Sequence, residues 1–304
     1  MSFVSQEICV MSAHASRWSL ALLMLAAIVV CWGCKTTPVS NRRQLNVIPE
    51  SQLVSMGLTS YQQILSNEQL SSNQRYIEMI NRVGQRIADV VSQEYPSAAD
   101  YKWEFNVIKS DQMNAFALPG GKVAFYEGII PVCQSEAGIA VVMSHEIAHA
   151  LLNHGGERMS QELVAQGVGK LVQFGARNQT AERQDMIMKA YGVGSKYGVL
   201  LPYSRKQESE ADLVGLKLMA KAGYDPSEAP QFWERFGQIK GSGGPSEFLS
   251  THPSDQRRAT ALREQLPDAL QIYRLEARVR YGIGDPVTPG AAQSNTALPA
   301  SASN

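Results

Sequence analysis

Apolar residues recur every three or four positions in the first third of the chain, and this spacing predicts amphipathic helices. Two such stretches lie within residues 51–93, and Pro96 ends the second. Apolar and polar residues then alternate over residues 103–108, which predicts a strand. Asn114–Tyr126 contains two more predicted strands on either side of a Pro-Gly-Gly turn. The pattern therefore predicts helices followed by a small sheet.

An apolar helix is predicted after this sheet, from a Ser135 N-cap to a stop at Gly155–Gly156. It contains the sequence His-Glu-x-x-His, formed by His145, Glu146 and His149. Residues four apart lie on one helix face, so the two histidines can hold one metal ion. The glutamate can reach a water at an open coordination position, an arrangement that suits catalytic zinc. The alternative is a helix that happens to carry two histidines.

The composition of the chain argues against nucleic-acid binding and against a disulfide-stabilised fold. The chain has 28 basic and 28 acidic residues and a formal net charge of zero. No overall positive field or basic cluster therefore indicates a nucleic-acid partner. The four cysteines show no spacing typical of a disulfide framework or a Cys-x-x-Cys metal site. A hydrophobic fraction of 44% is enough for a globular core.

The N-terminus predicts a targeting segment. Arg17 precedes Ser19–Val30, an apolar run too short to span a bilayer comfortably. Gly33-Cys34 follows and resembles a bacterial lipobox, so we predict a lipoprotein-type signal peptide over residues 1–33 and lipidation of Cys34. A simple cleaved signal and an uncleaved anchor are the alternatives.

The rest of the chain divides by composition. Residues 34–50 are polar and contain two prolines, so we predict a tether. Residues 51–284 form the predicted catalytic domain, and residues 285–304, rich in Pro, Ala, Ser and Thr, are predicted to be disordered. Residues 157–200 predict two helical stretches that form either a lid or an ordinary two-helix excursion. No apolar run after the tether begins is long enough to cross a membrane.

A zinc ion held by two histidines needs a further ligand, and Ser204–Gly215 offers candidates. Glu208 and Asp212 are four apart, so both fall on one helix face, whereas Glu210 points elsewhere. Glu208 can bind zinc while Asp212 accepts the free N–H of a histidine ligand. By spacing alone, a solvated acidic face is the alternative, although the neighbouring residues are largely apolar.

These motifs, taken in order, resemble the gluzincin peptidases of the CAAX-prenyl-protease and HtpX family. The resemblance covers roughly residues 50–270 and includes Asn114–Tyr126, Ser204–Gly215 and the segment Ser250–Ser254. Because the chain shows no transmembrane helices in its body, it is most similar to the LoiP-like periplasmic lipoprotein branch. The resemblance implies an α+β, mostly helical, zincin-like fold with a small antiparallel sheet whose edge strand lines the active-site cleft.

The resemblance also assigns roles. It implies one Zn²⁺ per subunit, with Glu146 as general base and His252 near the metal as a second donor to the developing oxyanion. It makes Asp212 the partner of a histidine ligand and places an extended substrate against Val123–Tyr126, which it implies is an edge strand. The implied metal ligands are His145, His149 and Glu208. The implied substrate-binding residues are Asn114, Val123, Ala124, Phe125 and Tyr126.

The predicted function is a zinc-dependent endopeptidase that cleaves extended or misfolded cell-envelope proteins. The predicted location is the bacterial outer membrane, facing the periplasm, with polypeptide substrates, a membrane contact through the N-terminal lipid and no nucleic acid. A homo-oligomer or an envelope-assembly partner is left open. Two alternatives remain: a zinc hydrolase of a non-protein bond, such as a cell-wall amidase, and a non-catalytic zinc-containing lipoprotein chaperone.

Overall fold

The structure, a computed structural model, describes residues 34–37, 41–195, 201–239, 248, 252 and 256–288. The predicted signal peptide and most of the predicted disordered tail lie outside these residues. The strands are β1 Cys34–Thr36, β2 Arg43–Leu45, β3 Glu104–Ile108, β4 Ala115–Leu118 and β5 Lys122–Tyr126. The helices are α1 Glu50–Asn67, α2 Gln74–Glu94, α3 Ile130–Cys133, α4 Glu136–Leu151, α5 His154–Ala176, α6 Ala181–Ser195, α7 Leu201–Lys221, α8 Glu228–Ile239 and α9 Gln256–Leu275.

The chain divides into two compact units. The first contains residues 1–53 and 152–207, and the second contains residues 54–151 and 208–304. The fold is mostly helical with small sheets, which confirms the α+β prediction. None of the described helices is both long enough and apolar enough to cross a membrane.

The first unit is organised around Glu157, a fully buried carboxylate on α5. Arg42 donates two hydrogen bonds to it, of 2.6 and 2.7 Å. Gln207 donates a third, of 2.8 Å. Strands β1 and β2 form an antiparallel ribbon beside Arg42. Because a buried charge is tolerated only when it is paired, this carboxylate fastens the ribbon to α5.

The sheet of the second unit has the strand order β3-β5-β4. β4 and β5 are antiparallel and flank a turn that contains Gly120 and Gly121, both with positive φ. β3 runs parallel to β5. The sheet is therefore mixed, whereas an antiparallel sheet was predicted. β5 lies at its centre, which also corrects the prediction that Val123–Tyr126 form an edge strand. β4, one of the two edges, packs against α4.

Helix α4 forms the centre of the second unit. Its residues from Glu136 to His149 are all buried, and it packs against β4, α2 and α8. Ser135 accepts a hydrogen bond from the Gly138 amide at 3.3 Å, as expected of the predicted N-cap. An all-buried helix needs its first amides satisfied by protein acceptors, because water cannot reach them.

The C-terminal segment provides those acceptors. The carbonyl oxygens of Asp285 and Ile283 accept hydrogen bonds of 3.0 Å from the amides of Glu136 and Ala137. Residues 285–287, the first three of the segment predicted as disordered, are thus hydrogen bonded to the fold. Residues 289–304 lie outside the described range.

The end of α4 differs from the prediction. It ends at Leu151, and Asn153, in the left-handed conformation with φ 54°, separates it from α5. Gly155 and Gly156 therefore do not stop the helix but lie in the first turn of the next one. Asparagine adopts the left-handed region more readily than most residues, so it ends a helix where a glycine is usual.

Helix α7 approaches α4 closely at Gly215. A Cβ atom at this position would lie 3.0 Å from the His145 backbone nitrogen and 3.1 Å from its Cα. These distances are shorter than ordinary van der Waals contacts, so the backbones approach this closely because Gly215 has no side chain. The close contact brings the side chains of the two helices into one site.

We expect Glu136→Gln to lower the free energy of unfolding, because Glu136 is buried and paired with two arginines. Arg82 Nε lies 2.6 Å from its carboxylate and Arg86 Nη1 lies 3.2 Å away. Hydrogen bonds to charged groups contribute about 1.5–3 kcal/mol each, and we expect a loss in that range because the arginines are partly exposed. Urea unfolding measures it. The control Glu162→Gln changes an exposed glutamate, and equal effects of both changes would contradict this account.

Candidate metal centre

Four side chains that can bind a metal converge in the second unit. One ligand atom from each lies within 4.8 Å of the others, and all four residues are buried. The cluster consists of His145, His149, Glu208 and His252. Three of these residues were predicted as zinc ligands, and the fourth was predicted to lie near the metal in another role.

Helix α4 provides the two histidines of the motif. Their Nε2 atoms are 3.1 Å apart, which is too close for two groups that both carry a proton there. The helix places them on one face because residues four apart nearly eclipse each other. His154, at the start of α5, is not part of the cluster.

Helix α7 brings two carboxylates to the same place. Glu208 places one oxygen 3.4 Å from His145 Nε2 and the other 3.4 Å from His149 Nε2. Asp212, one turn later, lies 3.0 Å from His145 Nδ1. Glu210 is buried but is not in the cluster, in agreement with the predicted helix register.

His252 points its Nδ1 atom into the cluster. This atom lies 3.0 Å from Glu208 Oε2 and 3.2 Å from His145 Nε2. The His252 backbone amide donates a 2.7 Å hydrogen bond to the Phe248 carbonyl, and the two rings are 4.6 Å apart. The structure therefore places His252 among the groups that can hold the metal, whereas the sequence predicted only that it lies nearby.

Arg258, on α9, connects the two acidic residues. Its Nη2 and Nε atoms lie 2.6 and 2.8 Å from the two oxygens of Asp212. Its Nη1 atom lies 3.2 Å from Glu208 Oε2, and its guanidinium carbon lies 3.6 Å above the ring of Trp233. A planar guanidinium can make a bidentate contact and stack on an aromatic ring at once, which a lysine cannot do.

The roles of Arg258 and Trp233 at the site were not predicted from the sequence. In the sequence, Arg257-Arg258 is typical of a solvated basic pair. Trp233 is typical of an ordinary core residue. Their role depends on how α8 and α9 pack, which no local spacing specifies. The available signal was their position within a predicted buried acidic site, because two buried carboxylates require a buried cation.

The charges in the cluster are strongly coupled. Burial lowers the pKa of His145, but hydrogen bonds with Asp212 and Glu208 outweigh this effect and raise it to about 9. Burial raises the pKa of Glu208, but hydrogen bonds with the three histidines lower it overall. The carboxylates therefore stabilise positive charge at this point, and a divalent cation competes with the proton for the same imidazole.

Glu146 differs from the other acidic residues of the site. Burial raises the pKa of its carboxyl group above the usual value. Its Oε1 atom is buried, lies 3.4 Å from His252 Nε2 and has no hydrogen-bond partner within the described part of the chain. A buried carboxylate oxygen without a partner indicates that a further polar group belongs beside it.

The donor set fits zinc. Neutral imidazole nitrogens and a carboxylate oxygen are the usual ligands of this ion, and all of them are buried at one point. The oxygen of Glu146 that lacks a partner adds an acceptor next to the ligands without being one of them. The residues present therefore fit a zinc ion with a polar group beside it.

Of the predicted substrate-binding residues, Val123–Tyr126 lie on β5 and Asn114 lies just before β4. Val123, Ala124 and Phe125 are fully buried in the central strand β5 and cannot line a groove. Asn114 directly precedes β4, the strand that packs against the metal-binding helix. Among the described strands, β4 is paired on one side only.

A family model described as peptidase family M48 matches residues 74–266, which include the whole cluster. The mitochondrial metalloendopeptidase OMA1 of Schizosaccharomyces pombe is 36% identical over 241 residues, covering 78% of this chain and 67% of that protein. The OMA1 protein of Saccharomyces cerevisiae is 35% identical over 179 residues, covering 57% of this chain and 49% of that protein. The beta-barrel assembly-enhancing protease of Escherichia coli K12 is 27% identical over 221 residues, covering 70% and 44%.

These comparisons overturn the predicted location. The relatives with the higher identities are mitochondrial proteases, while the E. coli protein is more distant. The prediction of a bacterial outer-membrane lipoprotein was wrong because it depended on a short motif at Cys34 that departs from the usual lipobox. Lipidation of Cys34 stays a prediction.

The family assignment does not depend on the N-terminus. The match extends over more than half of the chain, and the cluster supplies the ligands that zinc requires. The relatives named here are described as metalloendopeptidases or as a protease. This chain therefore belongs to peptidase family M48, a family of zinc metallopeptidases.

Proposed function

We propose that the chain is a zinc-dependent endopeptidase in which Glu146 is the general base. The observation that carries this proposal is the Glu146 oxygen, which has no hydrogen-bond partner among the described residues and lies beside a buried cluster of metal-binding groups. A purely structural site has no use for an acceptor of this kind. The activity of the whole protein is part of the proposal, since the chain covers about half of two of the relatives named.

The residues divide into those that hold the metal and those that move a proton. His145, His149 and Glu208 are the proposed ligands. Zinc held by them supplies a Lewis acid that polarises a peptide carbonyl and makes water nucleophilic near neutral pH. Glu146 accepts the proton of the attacking water and then delivers it to the leaving amine as the C–N bond breaks. Its raised pKa suits both steps, because a base that is too acidic cannot take the proton.

Asp212 and Arg258 orient the ligands. Asp212 accepts a hydrogen bond from His145 Nδ1, which leaves Nε2 free to bind the metal. Arg258 holds Asp212 in a bidentate contact and reaches Glu208 as well, so one cation fixes both carboxylates. The stacking of Arg258 on Trp233 restricts its rotamers and with them the position of the acidic residues.

We further propose that an extended polypeptide pairs with the edge strand β4. The backbone of β4 is paired on one side only among the described strands, and the strand packs against α4. Main-chain hydrogen bonds at a sheet edge give affinity with little dependence on side chains. This arrangement favours unfolded or misfolded polypeptides as substrates, because a folded domain does not offer an extended segment.

His252 can act in one of two roles, as a fourth zinc ligand or as a donor to the developing oxyanion. Its Nδ1 position favours a fourth ligand, and four protein ligands close a zinc site. In that case the peptidase is at rest until His252 moves aside. The predicted alternative is a donor to the developing oxyanion, and its Nε2 atom 3.4 Å from Glu146 is consistent with that role.

The two other candidate functions receive less support. A cell-wall amidase would use the same metal chemistry, but the relatives named above are described as proteases. A non-catalytic zinc protein would have the closed ligand set but would not need the Glu146 oxygen. Casein digestion with and without a zinc chelator separates these functions.

We expect Glu146→Gln to keep zinc and to lose most peptidase activity. The change removes no ligand but abolishes proton transfer, which contributes about 10²–10⁴-fold to rate. Turnover of a quenched peptide and zinc content by atomic absorption are measured on the same sample. Near-normal turnover in a zinc-loaded variant would exclude Glu146 as the base.

We expect Glu208→Ala to lose zinc and activity together. Glu210→Ala, two residues further on, is the matched control, since this residue is also buried but lies outside the cluster. Zinc per folded protein is the measurement, with circular dichroism to confirm folding. Loss of zinc from the Glu210 variant instead would show that the assignment along α7 is incorrect.

We expect Arg258→Lys to weaken zinc binding by about ten- to a hundredfold, the range for partners that orient metal ligands. Lysine keeps the charge but cannot make the bidentate contact with Asp212. The zinc dissociation constant, measured by competition with a chromophoric chelator, is compared with that of Arg257→Lys, a change at the exposed neighbour. An unchanged constant in the Arg258 variant would show that charge alone is sufficient.

We expect His252→Ala to release zinc faster, because one of four ligand groups is lost, while three ligands still hold the ion. The zinc off-rate, kcat and KM for one peptide are measured together. An unchanged off-rate with kcat lowered about 10²–10³-fold would identify His252 as the oxyanion donor instead.

A further inference from the structure

Helix α5 exposes a row of large apolar side chains to solvent. Leu171 is 70% exposed and Phe174 is 61% exposed. The members of this row, named here the α5 stripe, are Leu163, Val164, Val168, Leu171 and Phe174. Single exposed apolar residues are common, but a continuous row on one helix is not.

The stripe occupies one side of the helix. At about 100° per residue, its five members fall within an arc of about 140°. From residue 163 to residue 175 this arc also contains Gly167 and Gly175, and no charged residue. The opposite side of α5 packs on α6, where Tyr191 donates a 2.6 Å hydrogen bond to the Ala165 carbonyl. The stripe is therefore the face of α5 that α6 does not cover.

Two cations border the stripe. Lys170 and Arg177 lie about 20° and 40° beyond one edge of the arc, and both are exposed. Arg177 also lies 4.0 Å above the ring of Phe174. An apolar face bordered by basic side chains is typical of helices that lie in the headgroup region of a membrane. The long basic side chains can reach anionic headgroups while their stems stay on the apolar side.

The N-terminal part of the chain leads into the β1–β2 ribbon, which contacts the first turns of α5. The apolar run Ser19–Val30 ends four residues before β1, which allows a separation of about 14 Å at most. The β1–β2 ribbon and the residues directly after it are fastened to the first turns of α5. Arg42 pairs with Glu157, and the Val47 amide donates a 3.0 Å hydrogen bond to Ser160 Oγ. Any membrane attachment within residues 19–34 therefore holds α5 near the bilayer.

A protein partner fits the stripe less well. From Leu163 to Phe174 the helix is about 18 Å long and about 10 Å wide, so the stripe offers about 200 Å². A stable protein–protein interface needs about 800 Å² per partner. A lipid surface has no such minimum, because each apolar side chain that enters it contributes separately.

We propose that the α5 stripe lies in the interface of an anionic lipid surface, with Lys170 and Arg177 at the headgroups. This contact is independent of the metal centre and of the proposed peptidase activity. It holds the first unit against the bilayer through α5 in addition to any N-terminal attachment.

The test places an environment-sensitive fluorophore on the full-length chain. Cys9, Cys31 and Cys34 are changed to serine, and Cys133 is kept because its side chain is fully buried. A nitrobenzoxadiazole label is attached at Leu171→Cys. Vesicles of phosphatidylcholine and phosphatidylglycerol (7:3) should shift its emission to shorter wavelength, and nitroxide-labelled lipid should quench it.

The matched control carries the label at Gln173→Cys, an exposed position on the other side of the helix. It should show neither the shift nor the quenching. Equal responses at both positions, or none at Leu171, would overturn the proposal. A shift at Leu171 without vesicles, accompanied by a doubled mass in sedimentation, would assign the stripe to a second copy of the chain. An equal fluorescence change at Leu171 with vesicles of pure phosphatidylcholine would show that Lys170 and Arg177 do not contribute to lipid binding.

Discussion

The second unit depends on the burial of opposite charges at one point. Three imidazoles and three carboxylates meet there with one guanidinium, and all of these residues are buried except Asp212, which is partly buried. Removing one partner would leave an uncompensated charge in an apolar environment, which costs several kcal/mol. The metal and Arg258 together neutralise the negative charge of the carboxylates. The site is therefore also a structural element of the unit, and the loss of a ligand and the loss of local order should accompany each other.

In this unit, the packing of the helix backbones determines where the charged side chains lie. Helix α4 is buried along almost its whole length, so its two histidines have little freedom to move. Gly215 allows α7 to approach within contact distance of the His145 backbone, and Glu208 and Asp212 gain their positions from that approach. The aromatic residues Trp233 and Phe248 then fill the remaining space around Arg258 and His252. Rigid neighbours of this kind keep a catalytic geometry within narrow limits.

Helical periodicity predicted the part of the site that lies on single helices. The spacing of His145 and His149, and that of Glu208 and Asp212, requires only that each segment be helical. Arg258 could not be found in the same way, because its partners are on α7 while it lies on α9. The strand order was also not predictable locally, since β5 has the same alternation whether it lies at an edge or at the centre. The helix stop at Asn153 was missed because a nearby glycine pair is the stronger sequence signal.

The acceptors for the first turn of α4 come from residues 283 and 285, which follow α9, the last helix of the described part of the chain. During synthesis these residues emerge from the ribosome after α4, α7 and α9, and also after His252 and Arg258. The metal-binding helix thus lacks these partners for its first amides until every residue of the metal-binding cluster has been made. A hydrolase assembled in this order stays unable to cut while its own unfolded chain, or a neighbouring nascent chain, is still exposed. The order of residues along the chain thereby delays activity without any additional inhibitor.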